Sequence, residues 1–243
     1  MERKHFLKSL LAGVASAPVL LAACGKEDSV TPTSTTGSTT TTTGGTSSGS
    51  CTVAPTETEG PFPTHTPSSY VRADITDGKA GYKLTATLTV TNSNSNCAAL
   101  AGAIVDIWHC DAEGNYSEYG GSGMQSTNYT SVHFLRGRQT TDANGQVTFT
   151  SIFPGWYSGR ATHIHVHVYS ASGTSLKVTQ IAFPEGTGTA LAAVNGYAKG
   201  MTGYTSNKND NVFSDDTAGI ELATVTGSTT AGFQLAFTVA VPA

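Results

Sequence analysis

The sequence predicts an all-β fold, a β-sandwich core with a site built from its loops. Three observations carry this. Apolar residues alternate with polar ones in several separate runs, Gly/Asn/Asp turns punctuate those runs, and only residues 190–199 read as helical, over a short Gly-interrupted stretch. The first run, YKLTATLTVT at residues 82–91, sets Leu84, Ala86, Leu88 and Val90 on one face and Lys and Thr on the other. AIVDIWH at 103–109 is mixed apolar, as expected of a central strand. In TTDANGQVTFTSI a turn at 142–145 leads into a strand with Val147 and Phe149 on one side. Residues 163–169 and 176–183 form two strands around the turn SASGTS, and 233–241 is a last alternating run.

The fold is not expected along all 243 residues. Residues 1–23 have a basic start and an apolar stretch ending in small residues, which reads as a secretory signal peptide. Leu21-Ala22-Ala23-Cys24 resembles a bacterial lipobox, so Cys24 is the expected site of lipidation and the N-terminal lipid the expected contact with a membrane. RKHFLK resembles a twin-arginine export motif with one arginine replaced by lysine, and GKED after Cys24 resembles the acidic signals of surface lipoproteins. These features lead to the expectation of an exported cell-envelope lipoprotein of the outer membrane, with surface exposure as one option and the leaflet, side and export route left open. Residues 24–50 are dominated by Thr, Ser and Gly and have too little apolar surface to offset the entropy of ordering. They read as a flexible tether, with a root-mean-square span of about 25–30 Å. Residues 51–243 make up the one expected domain.

The net charge of −4 and the lack of a basic patch argue against a nucleic-acid partner. Cys51, Cys97 and Cys110 fall in the folded part. A strand between Cys97 and Cys110 covers about 20 Å, whereas a disulfide needs Cα atoms within about 7 Å. In an oxidising compartment Cys51–Cys97 is therefore the expected disulfide and Cys110 the free thiol.

The stretch YSGRATHIHVHVY, residues 157–169, bears on chemistry most directly. On a strand His163 and His165 share one face, while Ile164, Val166 and Val168 take the other. The aliphatic face belongs to the core, so the histidines look into a cavity, a metal or water. An H-x-H pair is a two-ligand grip for a metal ion, although a solvated polar stripe has the same spacing. Tyr116 and Tyr157 each sit in a Gly-rich turn beside a strand. Two phenolates and two imidazoles suit ferric iron, because phenolate is a hard anionic oxygen donor. His167 is given no ligand role, though zinc or copper on His163, His165 and His167 is a rival arrangement.

Five segments resemble the intradiol ring-cleavage dioxygenases, relatives of catechol 1,2-dioxygenase and protocatechuate 3,4-dioxygenase. They are TEGPF (58–62), GAIVDIWHCDAEGNYS (102–117), FLRGRQTTDANGQVTFTSIFPGWY (134–157), GRATHIHVHV (159–168) and TQIAF (179–183). The resemblance implies a mononuclear non-haem Fe(III) on Tyr116, Tyr157, His163 and His165. It also implies a catechol-type substrate, O2 as co-substrate and a muconate-type diacid product. Tyr157 matches the tyrosine that leaves the iron and acts as base; Arg160 and Gln180 match residues beside the substrate. Each ligating imidazole is expected to have its second nitrogen held by an acceptor, and Glu59 to line the pocket mouth. Only five residues separate Tyr157 from His163, fewer than in well-known members, which implies a more open pocket and matches the exported branch of the family. The rival class is a non-catalytic transthyretin-like or prealbumin-like surface module, which shares the D-x-x-G and P-G-x-Y rhythm. The identity of the catechol and the formation of homo-oligomers are left open.

Overall fold

The computed structural model describes residues 51–243. The expected signal peptide, Cys24 and the tether lie outside the described residues. The elements are β1 (Lys83–Asn92), β2 (Ala98–Ala99), β3 (Ile104–Trp108), β4 (Arg136–Thr140), β5 (Gln146–Ile152), β6 (His163–Tyr169), β7 (Ser175–Ala182), α1 (Ala190–Val194), β8 (Thr224–Ser228) and β9 (Gly232–Val241). One sheet runs β2-β1-β9-β8 with β5 also paired to β1; the other runs β4-β3-β6-β7. Among the strands of the described residues, β1 and β9 alone pair in parallel. The inward faces meet in one core, with Leu84, Leu88, Phe149, Phe233 and Leu235 from the first sheet and Val105, Ile107, Ile164, Val166 and Ile181 from the second. This is the predicted all-β sandwich.

Strand bounds differ from the sequence reading by a residue or two, and β2, β4 and β8 were not anticipated. β4 reads RGRQT, too polar to announce a strand; Arg136 and Arg138 nonetheless pair opposite Trp108 and Asp106 of β3. The expected helix at 190–199 stops after Val194, because Asn195 and Gly196 turn left-handed (φ 50° and 66°) and a 3-10 turn follows.

β6 positions the site. Six of its seven residues are buried, so both of its faces are covered. The aliphatic face packs in the core as expected. A strap formed by residues 57–65 crosses the histidine face. The Glu57 amide donates to Val178, and the Gln180 amide donates to the Thr58 carbonyl. Arg136, 1% exposed, donates to the Phe62 carbonyl and to the Thr64 hydroxyl, and the His65 amide donates to Glu118. The solvated-stripe reading of the histidines therefore does not hold. Upstream of the strap, Cys51 and Cys97 form a disulfide with Cα atoms 5.6 Å apart, and Cys110 is buried and free.

Candidate active site

Four elements bring the site together. β6 supplies His163 and His165, the turn after β3 supplies Tyr116, the turn after β5 supplies Tyr157 and Arg160, and β7 supplies Gln180. His163 Nδ1 lies 2.6 Å from the Ala161 carbonyl oxygen, which can only accept. That nitrogen therefore carries the hydrogen, and Nε2 presents a lone pair. This Nε2 faces His165 Nε2 at 3.1 Å and the Tyr116 hydroxyl at 3.1 Å. Tyr157 packs edge-on against both Tyr116 and His163, with ring centroids 5.7 and 5.5 Å away. Phe62 of the strap stacks on Tyr116, and Trp108 lies parallel to His165 at 4.9 Å.

Burial sets the electrostatics. It holds His163 down to about 3, with the Arg160 charge acting in the same direction, and it depresses His165 well below the usual imidazole range, helped by His163. Both rings are neutral across physiological pH. Burial also raises both phenols, Tyr116 strongly; Arg160 opposes the rise at Tyr157. Two neutral imidazoles and two phenols packed around one point fit a cation that displaces the phenolic protons and takes the lone pairs. Among the described residues no group of three or more His, Cys, Asp or Glu is placed to hold a metal ion.

The three-histidine arrangement is not formed. His167 turns Nδ1 to Glu59 (3.1 Å) and Nε2 to the Ser175 hydroxyl (2.7 Å). Glu59 correspondingly sits on His167, whereas Thr58, Gly60 and Pro61 of the strap line the cavity. The expectation of an acceptor behind each imidazole holds for His163 but not for His165, whose Nδ1 is buried without a partner. Gly60 presses on that ring instead, and a Cβ added there would stand 2.9 Å from Cε1. Trp108, buried at the end of β3, is a wall of the site. His109 bonds to Ser151 and to the Cys110 carbonyl, away from the cluster.

Arg160 donates to Gln180 (2.7 Å), to the Tyr157 hydroxyl (3.4 Å) and to Asp210 (2.9 Å). Asp210, fully buried, also accepts the Ala161 and Val212 amides. Sequence reasoning missed Asp210, which lies in an irregular stretch with no motif; the only available signal was that a buried arginine needs a buried anion. Beside Tyr157 and Arg160 a cavity of about 370 Å³ opens to solvent. A wider hollow of about 540 Å³ at Glu185, Leu191 and Tyr204 has none of these donors, so convergence of donors locates the site and size does not.

The sequence model of the dioxygenase family matches residues 59–218, about two-thirds of the chain and all of the clustered side chains. The chain belongs to the intradiol ring-cleavage dioxygenase family. Among solved structures, the intradiol ring-cleavage dioxygenase from Tetranychus urticae is 28% identical with a TM-score of 0.69, covering 79% of this chain and 96% of that one. The dioxygenase domain of a dioxygenase carbohydrate-binding protein fusion from Streptomyces sp. SirexAA-E is 26% identical with a TM-score of 0.55, covering 78% and 97%. The chlorocatechol 1,2-dioxygenase of Rhodococcus opacus is 29% identical over 103 residues, 35% of this chain and 37% of that relative. The chain thus spans little more than a third of that curated dioxygenase, while it spans nearly all of the two structural relatives. In this dioxygenase family member the tyrosine–histidine cluster lies at the start of β6, an interior strand of its sheet.

Proposed function

We propose that this chain cleaves the ring of a catechol-type diol between its two hydroxyl-bearing carbons, with O2, to a muconate-type diacid. The observation that carries the reading is the approach of Tyr116 Oη and His165 Nε2 to His163 Nε2, each at 3.1 Å, with Tyr157 alongside and the cavity open beside it. Tyr116, Tyr157, His163 and His165 would hold Fe(III), which supplies Lewis acidity and an electron sink for the bound diol. Tyr116 is fully buried and serves as the permanent anionic donor. Tyr157 lines the cavity, where its phenolate can accept a proton from a substrate hydroxyl. Arg160 presents a fixed cation to the same cavity, where it stabilises negative charge developing on the ring. Gln180, with both ends of its amide engaged, and Asp210 keep that guanidinium in place. A non-catalytic sandwich would leave this buried network without a use. Cys24 and the lipid it carries would anchor the protein to the cell envelope; labelling with a radioactive fatty acid, lost in Cys24→Ala, tests that part.

The test of the activity is direct. Purified protein loaded with iron should be red-brown, contain one iron per chain and convert catechol under O2 to a ring-opened diacid. A colourless, iron-free protein that leaves catechol intact would refute the reading.

A further inference from the structure

The cavity is larger than a bare catechol requires. Its volume of about 370 Å³ falls in the range of about 300–1,000 Å³ that takes drug-sized ligands. Pro61, Met124 and Val212 are its apolar lining residues. Met124 is 69% exposed, so its thioether is open to whatever enters the cavity. The loop that presents it is fixed next door. Gln125, 5% exposed, accepts the Tyr116 amide and donates to the carbonyls of Tyr116, Tyr119 and Thr127. The loop backbone is thus anchored beside Tyr116, and the thioether it carries is a soft surface suited to packing against a varied apolar group.

The charge at the mouth points the same way. Arg160 is the one charged side chain lining the cavity, and it is ion-paired with Asp210. With that pairing made, no unpaired cationic side chain lines the cavity to receive a substrate carboxylate.

We infer that the site selects catechols bearing an uncharged, apolar ring substituent, which packs on Met124 with Pro61 and Val212, and discriminates against carboxylated catechols. The inference rests on the ring-cleavage reading and narrows its substrate class. Met124 is the residue that sets the preference.

The test uses the iron-loaded full chain with catechol, 4-tert-butylcatechol and 3,4-dihydroxybenzoate. The kcat/KM for 4-tert-butylcatechol should exceed that for 3,4-dihydroxybenzoate by at least about tenfold, a typical return from one apolar contact in a pocket. Met124→Ala should lower the ratio of 4-tert-butylcatechol to catechol about fivefold. Met124→Lys should raise the ratio of 3,4-dihydroxybenzoate to catechol about tenfold. Calorimetric titration without O2 should rank the three diols in the same order. Cleavage of catechol with no preference between the two substituted diols, or ratios that ignore both Met124 variants, overturns the inference and leaves ring cleavage standing. Failure to cleave any diol overturns ring cleavage and the inference with it.

Discussion

Gly60 and His165 touch so closely that the backbone of the strap serves as the back wall of the imidazole. An added Cβ would stand 2.9 Å from Cε1, and the backbone there is left-handed at φ 69°. Only glycine meets both demands without strain. Gly60→Ala should therefore move the strap or the ring, reducing bound iron and lowering kcat by about tenfold or more. Metal analysis and steady-state kinetics check this; full occupancy at an unchanged rate would show that the contact does not shape the site.

The two tyrosines should separate by spectrum. Tyr116, sealed under Phe62, and Tyr157, facing the cavity, would each give a charge-transfer band on ferric iron. Tyr157→Phe should shift and weaken the visible absorption, and Tyr116→Phe should also reduce bound iron. An unaltered spectrum in both variants removes the tyrosinate assignment.

Asp210 acts through Arg160. Asp210→Asn keeps the shape but withdraws the charge facing the guanidinium, so kcat should fall about 10- to 100-fold, the usual loss when a supporting partner is removed. KM should change far less. An equal fall in every step of unfolding stability with kcat intact would mark Asp210 as structural only.

Arg136 ties the strap to the Tyr116 turn through four hydrogen bonds to Ser117, Phe62 and Thr64. Arg136→Ala leaves the buried Ser117 and Phe62 acceptors without their donor and withdraws the cation beside Glu118, which keeps the His65 amide and His133. The expected loss is about 3–5 kcal/mol, read from urea unfolding.

Stability should pass through a maximum with pH in the metal-free protein. His163, held to about 3, and His109, held to about 4, bind fewer protons folded than unfolded. Their effect is to raise stability as pH climbs toward 6.5. Glu221 acts oppositely. Its carboxyl is sealed against β7, bonded to the Thr179 hydroxyl on one side and unpartnered on the other. Burial, with Glu57 and Asp216 nearby, raises it to about 8. Folding therefore retains a proton that the unfolded chain releases, and stability falls as pH rises from 4.5 to 8. Above 6.5 only this decline remains, at no more than about 1.4 kcal/mol per pH unit. Thermal melts at pH 6.5, 7.5 and 8.5 should show it in the wild type, and Glu221→Gln should flatten it.

Much of this was legible in the sequence because it rests on local periodicity. The alternation in β1 and the H-x-H spacing on β6 state which face each side chain takes. The partner of each face is not stated locally. β4 is a strand because Asp106 and Trp108 lie opposite its arginines, and RGRQT alone does not reveal that. The strap over the histidines, the turn of His167 toward Glu59 and the pairing of Asp210 with Arg160 all join positions 50 or more residues apart, where no spacing rule reaches. The resemblance puts Gln180 beside the substrate, but its bonds to Arg160 and to the Thr58 carbonyl need the three-dimensional path of β7 and the strap.

The Cys51–Cys97 bond closes the entrance to that strap. Whatever precedes residue 51 is thus joined covalently to the body of the sandwich before the chain reaches Gly60 and Phe62. A tug from upstream is borne by sulfur and by the end of β1, so the back wall of the imidazole is mechanically isolated from anything the N-terminal region is attached to.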